Sequence, residues 1–327
     1  MNLKNQIVLV TGGTGSFGNK VAKYLQGLSP KKIIIYSRDE KKQYEMQKLY
    51  PDYQYIIGDV RDKERLFQAC KGVNVIFHAA ALKHVPACET YPYEAVKTNI
   101  IGSNNICEAA IHNQVQKVVA LSTDKAVKPI NAMGLSKSMM EKIVCSQNQF
   151  PVDTVFCCVR YGNVMGSRGS VIPFFKKLLA DNKALTITDE KMTRFMMTLD
   201  ESVELVLHAL TNAKGGEVFV KKAPACLVTE LAKTMIKKYG NGNDTNIRVV
   251  GIRPGEKIDE VLVNEYEIRR SEENDDFFVV YPEYGPTVEN HNYPSGYEYT
   301  SANTMQLTDH GSISELLDRM GEEEYFA

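Results

Sequence analysis

The chain of 327 residues has no apolar run near the ~20 residues that a membrane span requires, so no inserted segment is expected. It also lacks an excess of charge of either sign. Its 39 basic residues stand against 40 acidic ones, a formal net charge of -1, which gives no general electrostatic case for nucleic acid or an anionic surface. The seven cysteines are scattered and odd in number, with no Cys-x-x-Cys, so a reduced cytoplasm fits better than a disulfide framework. The six histidines show neither His-x-x-x-His nor His-Glu-x-x-His spacing. No metal site is therefore expected, and His78 and His84 read as structural or peripheral. Met1 leads into an apolar strand by Ile7, which leaves no room for a signal peptide.

What is present is a regular alternation. Short runs rich in valine and isoleucine occur at Ile7–Val10, Ile33–Tyr36, Tyr53–Ile57, Val73–Phe77, Val118–Leu121 and Thr154–Arg160. Helix-like segments separate them near 17–28, 40–49, 63–70, 93–112 and 132–149. Strands alternating with helices of this length predict a parallel sheet covered on both faces. After Gly162 the segments shorten, prolines recur and no glycine fingerprint reappears. The fold class expected is α/β: a doubly wound parallel sheet of Rossmann type over residues 1–165, with a smaller, interleaved α/β part for substrate over 166–327. A helix near 199–212 is expected to pack back on the first part. Residues 284–300 read as a loop, and 312–320 as an amphipathic helix.

The first strand runs into Thr11-Gly12-Gly13-Thr14-Gly15-Ser16-Phe17-Gly18, where Gly12, Gly15 and Gly18 give G-x-x-G-x-x-G at a strand–turn–helix junction. Glycines there permit a tight turn and let a pyrophosphate approach the backbone, while the helix N-terminus supplies a favourable dipole. Gly12, Thr14, Gly15, Ser16, Phe17 and Gly18 are thus candidates for holding a dinucleotide. The second strand ends at Ser37-Arg38-Asp39. An arginine there suits a 2′-phosphate, so Ser37 and Arg38 favour NADP, whereas Asp39 could accept a ribose hydroxyl and allow NAD. Asp59 and Val60 after the third strand stand where an adenine is commonly held. Ala79, Ala80 and Ala81 after the fourth have side chains small enough for backbone to lie along the cofactor.

Thr123, Asp124 and Lys125 follow the fifth strand, at the carboxyl edge where open α/β sheets bind ligands. Lys137 lies one helical turn beyond Met133, on the same face. Lys137 is expected to bond the nicotinamide ribose. Its charge, with that of the cofactor, would depress the pKa of Lys125 and let that amine act as a base. Asp124 could be an acid if desolvation keeps it protonated. The plainer reading is a local Asp124–Lys125 ion pair.

Eight segments together resemble the extended short-chain dehydrogenase/reductase family. They are Ser37 to Glu40, Ala80 to Pro86, Lys97-Thr98-Asn99, Ser122 to Lys137, Arg160 to Val164, Met192 to Phe195, Arg253 to Lys257 and Tyr299 to Thr304. Within that family the chain is most similar to UDP-N-acetylglucosamine 4,6-dehydratases that invert C5 in making surface polysaccharide precursors. It departs from the usual Tyr-x-x-x-Lys pair at Met133, whose thioether cannot exchange a proton; some dehydratases of this type share the departure.

The resemblance implies a lyase with 5-epimerase activity acting on a UDP-sugar, with Lys125 as base at C5 and Asp124 as acid at the 6-hydroxyl. Thr123, Lys137 or a water would take the 4-hydroxyl proton. It also implies Asn99 and Lys83 beside the cofactor, with Lys83 also near the sugar. Arg194 and Arg253 would bind the diphosphate, Glu256 the ribose, Asn163 and Arg168 a phosphate, and Thr186 the uridine. By family analogy alone the chain forms a homo-oligomer, a dimer or hexamer. A retaining dehydratase, a UDP-sugar 4-epimerase and a catalytically silent NADP-binding scaffold are the alternatives.

Overall fold

A computed structural model describes residues 3–167, 169–240, 246–285 and 288–320. Its centre is a nine-stranded sheet. The strands β1 (Ile7–Thr11), β2 (Lys32–Ser37), β3 (Gln54–Ile57), β4 (Val75–His78), β5 (Lys117–Leu121) and β6 (Val155–Arg160) lie parallel in the order 3-2-1-4-5-6. This order reverses between β1 and β4, which opens a crevice at their carboxyl ends.

The strand sequences are apolar at nearly every position because both faces are covered. Leu9, Ile34, Ile76, Val118 and Phe156 belong to one buried cluster; Val8, Val10, Ile35, Phe77 and Val119 belong to the other. Helices α1 (Ser16–Gly27), α2 (Glu40–Leu49) and α3 (Lys63–Ala69) connect the early strands. They are followed by α4 (Val85–Thr90), α5 (Pro92–Ala95), α6 (Gly102–His112) and α7 (Ala132–Ser146). Between α5 and α6 the helix widens into a π turn over Val96–Ile101. The expected α/β fold is the one that forms.

The sheet does not stop at residue 165. Val218–Lys221 pairs parallel to β6, and Phe277–Val280 then Ser271–Glu273 extend it antiparallel. Leu199–Asn212 packs on α1, where Lys20 and Tyr24 both reach Asp200, at 3.0 and 2.5 Å. Position along the sequence therefore does not separate the two lobes, because the second half donates both strands and a helix to the first. The smaller lobe has its own core, built from Met165, Phe175, Leu185, Leu231, Met235 and Leu316.

Arg160 ties these parts together. Its side chain is 2% exposed and forms paired hydrogen bonds with Glu141 on α7 and Glu267 in the short helix Glu265–Ile268, plus one to the Leu262 carbonyl. Burial opposes the charge on Glu267, but Arg160 holds its carboxyl below the usual range. Arg160→Ala would leave two buried carboxylates without their cation, a loss of about 3–5 kcal/mol. Chemical denaturation of the two proteins side by side measures this; a loss under ~1 kcal/mol contradicts it.

Candidate active site

The glycine turn is shaped to admit a dinucleotide. Gly12 has φ +65°, and a Cβ there would lie 2.8 Å from the Ala80 nitrogen and 2.9 Å from the Ala79 carbonyl carbon. The turn after β1 and the alanine run after β4 are therefore in backbone contact. A Cβ on Gly18 would overlap Gly13, so the first turn of α1 also sits directly on the loop. No side-chain hydrogen bond caps the α1 N-terminus at Gly15, which leaves its dipole directed at the crevice. These features fit a pyrophosphate. Beneath them, His78 bridges Thr11 Oγ1 (2.8 Å) and Ser103 Oγ (2.9 Å), and burial lowers its pKa to about 3, so it is a neutral brace.

At the end of β2, Asp39 accepts the Lys42 amide at 3.0 Å as the cap of α2 and pairs with the Lys42 ammonium at 3.1 Å. Ser37 Oγ accepts from Gln43 at 3.0 Å. Arg38 is more than half exposed and lies 3.5 Å from Asp59, which Arg61 also holds. Val60 is buried against Gly102.

The π turn aims Asn99 at the loop after β4. Its Oδ1 accepts the Leu82 amide at 2.8 Å, and its Nδ2 donates to the Leu82 carbonyl and to Ser136 Oγ, both at 2.9 Å. The Asn99 amide is thus committed to protein, and it shapes the Ala79–Lys83 segment instead of presenting a free donor. Lys83 itself is exposed.

The catalytic strip is compact. Thr123 caps a short 3-10 turn at Asp124–Ala126, and the Asp124 amide donates to the Tyr161 carbonyl at 3.0 Å. Asn131 caps α7 by accepting the Gly134 amide at 2.7 Å. A Cβ on Gly134 would overlap the Lys125 carbonyl oxygen, so only glycine lets the helix start this close to the turn. Asp124 is fully buried. Its Oδ1 accepts from Thr123 Oγ1 at 2.8 Å and from Lys125 Nζ at 3.0 Å; its Oδ2 is buried with no hydrogen-bond partner among the described residues.

Two expectations about this strip need correction. Lys125 is not a depressed amine. Burial opposes its charge, but Asp124 and Glu260, whose Oε1 lies 3.4 Å from Nζ, outweigh burial and raise its pKa. Lys137, in contrast, is lowered, and burial brings it to about 8. Its Nζ bonds the Leu121 carbonyl at 2.5 Å and Met140 Sδ at 2.9 Å, with no carboxylate hydrogen-bonded to it among the described residues. Met133, carried among the catalytic positions, is a packing residue. It is 3% exposed in a small apolar cluster with Cys88 and Ala95, flanked by Leu82 and Val85.

Arg194 adjoins the strip, but its guanidinium donates to the carbonyls of Thr193, Lys257 and Ile258, with Nε 3.9 Å from Glu260. In this arrangement it braces the loop 257–260 and lines the rear of the cluster. The Arg253–Lys257 motif docks on the same turn: Lys257 Nζ donates to the Val127 carbonyl at 2.6 Å, and Asn131 to the Gly255 carbonyl at 2.8 Å. Arg253 is exposed beside Glu256. Asn163 Oδ1 is buried without a partner among the described residues, as a ligand-facing group would be. Thr186 lies on Leu185–Ile187, a short strand of the smaller lobe. Arg168 falls outside the described residues. Sequence reasoning missed Glu260 altogether; only proximity to Lys125 marks it.

A family model described as polysaccharide biosynthesis protein matches residues 8–282. A protein named UDP-glucose 4-epimerase from Rickettsia conorii is 48% identical over 282 residues, covering 84% of this chain and 82% of that protein. Among solved structures, Pen from Bacillus thuringiensis superposes with a TM-score of 0.90 at 35% identity, covering 98% of this chain and 100% of that one. DesIV of Streptomyces venezuelae, a dTDP-glucose 4,6-dehydratase solved with NAD bound, has a TM-score of 0.71 at 20% identity, over 77% of this chain and 87% of that one.

Proposed function

This chain belongs to the polysaccharide biosynthesis protein family, with the extended short-chain dehydrogenase fold, and from that premise we propose that it is a UDP-N-acetylglucosamine 4,6-dehydratase that inverts C5. The broader class, a nucleotide-sugar dehydratase or epimerase, follows from its relatives. One observation carries the finer reading: a Thr123–Asp124–Lys125 cluster at the carboxyl end of β5, with Asp124 buried and Thr123 and Lys125 half-buried, beside a Met133 sealed in apolar packing.

Bound NADP would supply the acceptor that takes the C4 hydride and returns it to C6. The preference for NADP is supported by Arg38, Lys42 and Arg61 around the β2 end and by the commitment of Asp39 to its cap and to Lys42. The chain's own residues move the protons. Thr123 Oγ1 takes the 4-hydroxyl proton as it passes its own to Asp124 Oδ1, 2.8 Å away. That transfer loads Asp124 as the acid for the departing 6-hydroxyl. The C4 ketone acidifies C5, and Lys125 takes that proton. One proton thus leaves in water. A solvent-derived proton reaches the opposite face of C5 while Lys125 releases to solvent the one it took, so the cluster ends as it began and the 4-keto-6-deoxy sugar has the L configuration.

The 4-epimerase reading draws on the names of the Rickettsia relatives. It would need no acid for the 6-hydroxyl and leaves the buried Asp124 without a task. NMR of the sugar after incubation with UDP-N-acetylglucosamine separates these readings. A 6-methyl doublet and an L-configured C5 are expected; an intact 6-CH2OH with cofactor loaded sinks the dehydratase, and a D-configured C5 sinks the inversion.

A further inference from the structure

Glu260 is the one member of the cluster that no motif marked. Its carboxylate is buried, with Oε1 3.4 Å from Lys125 Nζ and 3.9 Å from Arg194 Nε. Oε2 is buried and has no hydrogen-bond partner among the described residues. The backbone is pinned on both sides. The Glu260 amide donates to Ser301 Oγ at 2.8 Å, and its carbonyl accepts the Ser301 amide, also at 2.8 Å. A buried carboxylate oxygen left without a donor keeps its full desolvation penalty, so the site retains it at a cost. Arg194 could relieve that penalty, but its NH1 and NH2 groups donate to three carbonyls instead. Lys125 is left as the nearest cation.

The proposed dehydration poses a difficulty that Asp124 does not resolve. Lys125 rests as an ammonium between two carboxylates, yet it must be a free amine to take the C5 proton. Asp124 is already assigned the 4-hydroxyl proton. Resting on that reading of the reaction, we infer that Glu260 is a positioning residue for Lys125, holding the amine beside Asp124 and accepting its extra proton before C5 is attacked. An N–H bond of the ammonium breaks, an O–H bond forms on Glu260, and no electrons change partners in a redox sense. Closure of substrate over the pair favours this, because a neutral amine and a neutral acid lose less than an ion pair when water leaves.

The groups facing the pair are known. Burial raises the pKa of Glu260, Lys125 lowers it, Asp124 raises it, and Arg194 and Lys257 lower it; the net direction is upward. Lys125 is faced by Asp124, Glu260 and Arg194, and Lys257 also feels its charge.

Glu260→Gln keeps the shape and removes both the charge and the proton acceptor. Lysine labelled with 13C at Cε, with the Lys125 signal assigned by Lys125→Arg, reports the titration directly. Loss of an anion 3.4 Å away destabilises the ammonium, so the Lys125 midpoint moves to lower pH. Turnover of UDP-N-acetylglucosamine falls about 100-fold with KM nearly unchanged. Glu260→Asp, which withdraws the charge by one methylene, gives an intermediate midpoint and keeps the question open to test if the glutamine variant misfolds. An unmoved midpoint in either variant, or wild-type turnover in Glu260→Gln, overturns the inference. If the wild-type protein makes no dehydrated product, the reaction assigned above fails, and the titration still decides whether Glu260 governs Lys125.

Discussion

Lys125→Ala stops the reaction at the C4 ketone. Turnover drops by about 10^3-fold, within the range expected when a positioned general base is removed. The informative readout is isotopic. In heavy water the wild-type enzyme places deuterium at C5, and the variant places none, while retained UDP binding serves as the control for folding. Entry of deuterium at the wild-type rate would show that another group is the base. The variant also leaves Asp124 and Glu260 with their unpartnered oxygens and no cation between them. Lys125→Met, which keeps most of the side-chain volume, therefore belongs beside it as a control for collapse of the pocket.

Gly12→Ala abolishes tight cofactor binding without touching the chemistry. Two effects add at this position. The φ of +65° strains any residue with a Cβ, at about 1–3 kcal/mol. The new methyl would also press on the Ala79–Ala80 backbone, at 2.8–2.9 Å. Relief requires the two loops to part, and in the proposed reading the junction of those loops would cradle the pyrophosphate. An increase in the NADP dissociation constant of ~10–100-fold follows from the strain alone, at about 1.4 kcal/mol per tenfold. Fluorescence titration with NADPH measures it, and unchanged affinity refutes the role given to this turn. Gly15→Ala is the milder comparison, since a Cβ there meets only the Gly12 carbonyl oxygen, at 3.2 Å, and no positive φ is involved.

Local features were legible in the sequence, and distant pairings were not. The strands around Leu9, Ile34 and Val118 announce themselves by composition, because burial on both faces demands apolar residues throughout. Gly12, Thr123, Asp124 and Lys125 sit in runs whose order implies a turn at a strand end. The environment of Lys125 could not be inferred the same way. Its second carboxylate lies 135 positions later, in a segment with no periodic pattern, and arrives through the docking of 253–260 on the turn at 124–131. The sign of the Lys125 shift is hidden from the sequence for that reason: the cation Lys137 stands only 12 positions away, and the anion Glu260 does not. Arg194 is the same lesson in reverse. The family resemblance implies a diphosphate partner for it, but the carbonyls it serves belong to residues that no spacing rule connects to it.

The π turn at Val96–Ile101 fixes a rotational phase. A wide turn holds one residue beyond an α turn, and each residue advances a helix by about 100°. Deleting a residue there would leave a continuous helix from Pro92 to His112, with its buried stripe intact after the bend. Everything before the deletion would face little more than a quarter of a circle away. The helix is thus a crank as well as a strut: its far half is indexed to the sheet, its near half to the loop over the crevice, and the widened turn is the keyway between them.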